Sequence, residues 1–171
     1  MSTPRPSRTA RRGAPNDRHA ALRTWLRLLD CSSLVERQVR RRLREQFDIT
    51  LPRFDVLAQL DAAARTEVPG LTMSELSRRL MVTNGNLTGL VERLAQERLV
   101  SRVASTTDRR TQIVRLTAAG KRALDAMTPA HERWIEELFA HLSPTERSQM
   151  HALLGRLRRS IRHSLTEESP P

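Results

Sequence analysis

The chain holds one cysteine, no tyrosine and, among its 30 basic residues, a single lysine, Lys121. Cys31 has no second thiol to pair with, so an intramolecular disulfide is excluded and a reducing, cytoplasmic setting is expected. Aromatic side chains are scarce. Trp25, Phe47, Phe54, Trp134 and Phe139 all fall on apolar helical positions, which leaves no row of exposed rings on which single-stranded nucleic acid could stack. No apolar run approaches the ~18 residues of a membrane span, and the Arg- and Pro-rich start lacks the apolar stretch of a secretory signal, so no membrane partner is expected. A Gly-rich phosphate loop, a nucleophile-elbow serine and suitably spaced paired carboxylates are missing too, which argues against an enzyme. The histidines at 19, 131, 141, 151 and 163 form no HxxxH pair. Those at 131, 141 and 151 drift by about 80° of helical phase per step, so no shared metal site and no cofactor is expected.

What is present is positive charge. A formal net charge of +11 over 171 residues, with a pI near 11.6, is the footprint of a nucleic-acid binder. The bias toward arginine is also what a GC-rich genome produces, so charge alone does not name the partner. The length suffices for one domain with a real core.

The segment 71–117 carries the most specific signal. Thr72 stands three residues before Glu75, the spacing of a capping box in which each side chain satisfies an orphan backbone N–H, and Leu71 and Leu76 flank it as a hydrophobic staple. The helix stops at Met81-Val82, and Thr83 can cap a second one with Val82 and Leu87 as its staple. Two capped helices so close together read as a helix-turn-helix. Leu87, Leu90, Val91 and Leu94 form an apolar stripe on the second helix, expected to face Leu76 and Leu80. Its other face offers Asn84, Asn86, Thr88, Gly89 and then Arg93. Recognition helices read base edges from their first turns; Asn can pair bidentately with adenine, and the Thr methyl can touch a thymine methyl.

Val100–Ala104 and Thr111–Leu116 are β-rich runs separated by the turn-like Ser-Thr-Thr-Asp-Arg-Arg of 105–110. They predict a hairpin tipped by Arg109 and Arg110, guanidinium groups suited to a narrow, electronegative minor groove. Asp108 would be repelled by phosphate unless it braces one of those arginines. A charged, exposed hairpin tip that merely resists edge pairing is the plain alternative.

At this point the sequence resembles the MarR family, the multiple-antibiotic-resistance type of bacterial transcription regulators. The resemblance rests on Leu-Thr-x-x-Glu-Leu (Leu71 to Leu76), Leu-Val-Glu-Arg-Leu (Leu90 to Leu94), Asp108-Arg109-Arg110 and Leu-Thr-x-x-Gly (Leu116 to Gly120), and extends more loosely over about residues 20 to 165. It implies that Asp108 and Arg110 place an arginine in the minor groove while the second helix enters the major groove. Gly89 departs from the longer polar side chain many members carry there, so no base contact is assigned to it. The resemblance also implies a two-fold dimer through the first and last helices. Cysteine-based peroxide sensing, found in some members, pairs the thiolate with tyrosines; with none in this chain, and Asp30 and Glu36 beside it, Cys31 is expected to be a small core residue.

The expected organisation is mainly α with a small β-hairpin wing, a winged helix-turn-helix with flanking dimerisation helices. Residues 1–16, with Pro4, Pro6, Pro15 and four arginines, predict a disordered basic arm able to add phosphate contacts, and 166–171 a disordered tail. The domain spans 17–165: a long helix from about 18 to 47, a winged helix from about 51 to 117 that opens with a helix at Leu51–Ala64, a helix capped by Thr117, and a last helix over 143–165 begun by Ser143-Pro144-Thr145-Glu146. The expected DNA-binding residues are Thr83, Asn84, Asn86, Thr88, Arg93, Asp108, Arg109 and Arg110, and the partners a palindromic double-stranded DNA operator, a second copy of the chain and a small-molecule effector. For the effector, Trp25, Arg53 and Phe54 are candidate contacts, with Arg40, Arg41 and Arg44 available to an anion. The function expected is a ligand-responsive repressor acting in the bacterial cytoplasm at the nucleoid. Effector-free, arginine-rich RNA binding is the alternative.

Overall fold

A computed structural model describes residues 15–66, 70–104 and 111–167. The expected arm lies outside these residues except at its end, and the wing tip with Asp108, Arg109 and Arg110 lies outside them as well. The elements run α1 (Pro15–Phe47), α2 (Leu51–Ala64), β1 (Leu71–Thr72), α3 (Met73–Leu80), α4 (Asn84–Gln96), β2 (Val100–Ala104), β3 (Gln112–Leu116), α5 (Ala118–Leu138) and α6 (Pro144–Glu167). Helix α1 begins a few residues before the expected start, because a proline in a first turn withholds an N–H that has no partner there anyway.

The helix starts follow local chemistry. Thr72 and Glu75 close the capping box, with Thr72 Oγ1 accepting from the Glu75 amide at 3.2 Å and the Glu75 carboxylate accepting from the Thr72 amide at 2.8 Å. Ser143 and Glu146 repeat it at the start of α6, at 3.3 and 2.8 Å. Thr117 caps α5 by accepting from the Gly120 amide at 3.0 Å. Thr50 and Thr83 take the extended N-cap backbone, yet neither hydroxyl makes a cap hydrogen bond. Helices α1, α3 and α4 are each followed by a left-handed residue, Asp48, Met81 and Arg98, that turns the chain sharply.

Three strands, not only the expected hairpin, make the sheet, in the antiparallel order β1-β3-β2. Val100 pairs with Leu116 and Ala104 with Gln112 across the hairpin, and Leu71 pairs with Val114 on the other side of β3. Gly70 makes this close pairing possible: at φ +150 it adopts a backbone other residues avoid, and a Cβ there would stand 2.6 Å from the Val114 carbonyl oxygen. Gly120 serves the next joint. A Cβ on it would collide with the Leu99 carbonyl, which accepts from the Thr117 amide at 3.1 Å. The first turn of α5 therefore sits directly on the chain entering β2.

The core gathers Leu57 and Leu60 of α2, Leu76 of α3, Leu87, Val91 and Leu94 of α4, and Val114 of β3, joined by Val39 and Leu43 of α1 and Leu124, Met127 and Trp134 of α5. The expected stripe of α4 is thus the buried one, with Leu90 half-buried beside it. Two clamps hold α1 and α2 to α5. Arg42 pairs with Glu137 at 2.6 Å and lies over the Trp134 ring, and buried Asp61 takes Arg65 at 2.8 Å and Lys121 at 3.6 Å.

The rest of α1 and nearly all of α6 stay outside this core. Leu22, Trp25, Leu26 and Leu29 are exposed on α1, as are Leu153, Leu157, Ile161 and Leu165 on α6. Cys31 is exposed too, which corrects its expected place in the core. The apolar periodicity around it is real, but it belongs to the half of α1 that lies largely open among the described residues.

Candidate nucleic-acid interface

Helix α4 is seated by its buried stripe, and that fixes what faces outward. Leu87, Val91 and Leu94 are fully buried, so Gly85, Asn86, Thr88, Gly89 and Arg93 are exposed. The stripe gives the helix one rotational setting. Thr83 is exposed at its N-cap, its hydroxyl free of capping duty, beside first-turn amides that point out of the helix end. Such an end attracts anions through unpaired N–H groups and the helix dipole. Asn84 opens the helix; Asp108, Arg109 and Arg110 fall outside the described residues. Gly85 and Gly89 have nothing within 4 Å of where a Cβ would stand, so the fold does not demand glycine at either position.

The base of the wing adds a residue that sequence reasoning missed. Arg102 on β2 donates from Nε to the Gln112 side-chain oxygen at 2.7 Å and reaches Glu92 of α4 at 3.8 Å. It ties the hairpin to α4. Only the strand register could have announced it, because Arg102 stands opposite Val114 and so lies diagonal to Gln112 across the hairpin. Nearby, backbone and side-chain hydrogen bonds from Thr72 hold the Glu75 carboxyl below its usual range, with help from Arg78 and Arg79. Glu75 thus stays ionised at the start of α3, where a negative charge is favoured.

The expected effector contacts are not brought together. Phe54 is buried, its ring 4.9 Å from that of His131. Burial holds the His131 imidazole below its ordinary pKa. Arg53 pairs with Glu97 at the end of α4. Trp25 sits far up α1, roughly 33 Å from Phe47 at about 1.5 Å per residue. Arg40 and Arg41 are engaged on their own helix, with Glu36 and Glu45. Among the described residues no group of three or more metal-ligating side chains occurs, and no helix is long and apolar enough to cross a membrane.

Comparison with known proteins converges on this region. The model of the MarR family matches residues 47–111, from the end of α1 to the start of β3. A MarR family transcriptional regulator from Silicibacter pomeroyi is 33% identical, with a TM-score of 0.69 over 87% of this chain and 99% of that one. The transcriptional repressor YetL of Bacillus subtilis is 34% identical over 87 residues, 51% of this chain and 52% of the repressor. BpsR of Bordetella bronchiseptica, whose DNA binding is regulated by 6-hydroxynicotinic acid, shares the fold at a TM-score of 0.66 and 21% identity, over 77% of this chain and 89% of its own. The family model falls on the helix pair α3–α4 and the first two strands, a nearly whole solved relative matches at 33% identity, and the chain belongs to the MarR family of DNA-binding transcriptional regulators.

Proposed function

We propose that this chain acts as a homodimer on a palindromic operator in double-stranded DNA, repressing transcription until a small effector, aromatic or anionic, releases it. The observation that carries the reading is the setting of α4: three fully buried apolar residues lock it, and its first turns present Asn86, Thr88 and Arg93 to solvent on a strongly basic chain. In the major groove Asn86 and Thr88 read base edges with Asn84, while Thr83 and Arg93 meet phosphate. At the wing Asp108 braces Arg110, and Arg110 with Arg109 enters the minor groove. The uncovered apolar residues of α1 and α6 take a second copy, since a face of that size is seldom left to water. The two recognition helices then meet half-sites about 10 base pairs apart on one side of the duplex. YetL, named as a repressor, and BpsR, regulated by a small aromatic acid, support the sign and the switch.

The test starts with DNA selected by the protein from a random pool. Asn86→Ala and Thr88→Ala should weaken binding to the selected sequence by tenfold or more, about 1.4 kcal/mol, and leave binding to unrelated DNA nearly unchanged. Equal losses on both DNAs would show that α4 touches only phosphate.

A further inference from the structure

We propose that the polar side of α6 holds the phosphate backbone of a second DNA duplex, separate from the one seated on α4. Positive charge is not concentrated on the winged helix. Residues 51–117 hold ten arginines against seven acidic side chains. Residues 147–166, all within α6, hold five arginines, two histidines and no acidic residue, the longest stretch of the chain without one.

The arginines are grouped. At about 100° per residue, Arg159 and Arg162 lie opposite the apolar line of Leu153, Leu157 and Ile161, and Arg156 and Arg158 stand on the two borders. All four are exposed. On α1 and α2 arginines are engaged by carboxylates, Arg40 by Glu36, Arg41 by Glu45 and Arg65 by Asp61. Arg156, Arg158 and Arg159 have no carboxylate partner among the described residues. Like charges three and four residues apart repel and weaken a helix. A polyanion lying along this side relieves that repulsion.

The chemistry of the side selects duplex DNA. A guanidinium meets phosphate in a bidentate fork, and a duplex offers one phosphate charge per about 1.7 Å of its axis. Helix α6 carries no aromatic ring, so the bases of a single strand would find nothing to stack on. An acidic protein would want an apolar anchor beside the charges, and the apolar residues of α6 lie on its other side, where a second copy is placed. Contacts of this kind go to the backbone and accept any sequence.

Position makes this duplex a second one. Helix α5 starts against the Leu99 carbonyl, close to the end of α4, and its 21 residues carry the chain about 30 Å before α6 begins. Among the described residues α6 has no more than isolated contacts with any other element. A dimer would therefore hold its operator on the winged helices and a length of unrelated duplex on α6, bringing two DNA segments together. The bridging rests on the function proposed above; the basic side of α6 does not.

The full chain is loaded to saturation on immobilised DNA of the selected sequence, free chain is washed away, and a fluorescent duplex of unrelated sequence is added at low salt. The duplex should be retained. In the triple variant Arg156→Gln, Arg158→Gln, Arg159→Gln, retention should fall at least about tenfold and the slope of log K against log salt should lessen by up to about 3 per chain, while affinity for the selected DNA and the sedimenting mass stay unchanged. Polyglutamate at equal charge should leave the retained duplex in place. No retention at low salt, or undiminished retention by the triple variant, would overturn the surface. Displacement of the duplex by polyglutamate, or by vesicles of anionic phospholipid at equal charge, would overturn the choice of partner. If the chain selects no DNA at all, the proposed function is wrong, and α6 is judged by the same loss of salt slope in binding of the unrelated duplex in solution.

Discussion

The winged helix and the α1–α6 pair are patterned alike and buried differently. Leu87 and Leu94 on α4 recur with helical spacing and are fully buried; Leu153 and Leu157 on α6 do the same and are 60% and 43% exposed. The first set finds its cover within the chain, from α2, α3 and β2. The second set lies largely open among the described residues. Periodicity therefore states that a face will be covered, and only the fold states by whom. In this protein the boundary between the two regions runs through α1 itself, exposed at Leu22 to Leu29 and buried at Val39 and Leu43.

The sharpest way to break this comparison is to make the same change on both sides. Leu94→Ala should cost about 2–5 kcal/mol of stability, as a cavity in a closed core does, and lower the midpoint of urea unfolding accordingly. Leu157→Ala should cost far less in the isolated chain. Leu157→Asp should leave a folded chain whose sedimentation is monomeric; loss of its far-UV helix signal would show instead that α6 belongs to the core.

Next in size is the wing. On the proposed reading, Arg110→Ala should weaken binding to selected DNA by about 1–3 kcal/mol, because it removes a minor-groove contact. Unaltered affinity at physiological salt would remove the wing from the interface.

A smaller effect sits where the two regions join. Burial, with Glu36 of α1 close by, raises the Asp55 carboxyl from 3.8 to about 6, and Arg40 offsets part of the rise. The folded chain therefore keeps a proton that the unfolded chain releases. The stability tied to that proton is complete below pH 3.8 and is lost as the pH rises toward about 6. Asp55→Asn should flatten the fall in unfolding midpoint across that window, and an unchanged slope would assign it to other groups.

The smallest expected change is Gly89→Ala. With open space for its Cβ, the substitution should stabilise α4 by up to about 1 kcal/mol. If the glycine serves an approach to DNA, specific affinity should fall as the melting temperature rises. Affinity that rises as well would leave Gly89 without a role at the interface.

Much of the winged helix was legible in the sequence because local rules decide it. The span Leu51–Ala64, the box of Thr72 with Glu75 and the hairpin strand Val100–Ala104 follow from caps, staples and β-rich runs a few residues long. What escaped depends on distant partners. Strand β1 is two residues long and exists only because Leu71 meets Val114. Arg53 meets Glu97 across 44 residues, a pairing that no local pattern announces. Cys31 was misplaced for the reason the α1–α6 face is exposed: apolar spacing identifies a face and not the surface that covers it. Gly120 stood in the sequence as part of a motif, and the Leu99 carbonyl against it supplies the physical reason.

One measurement joins the two regions. A hydroxyl-radical footprint on DNA selected by the protein, with the mass of the complex determined by sedimentation, reads the interface and its cover together. The account predicts two protected patches about 10 base pairs apart on one side of the duplex, with two chains bound. A single patch carrying one chain, with α1 and α6 intact, would contradict it.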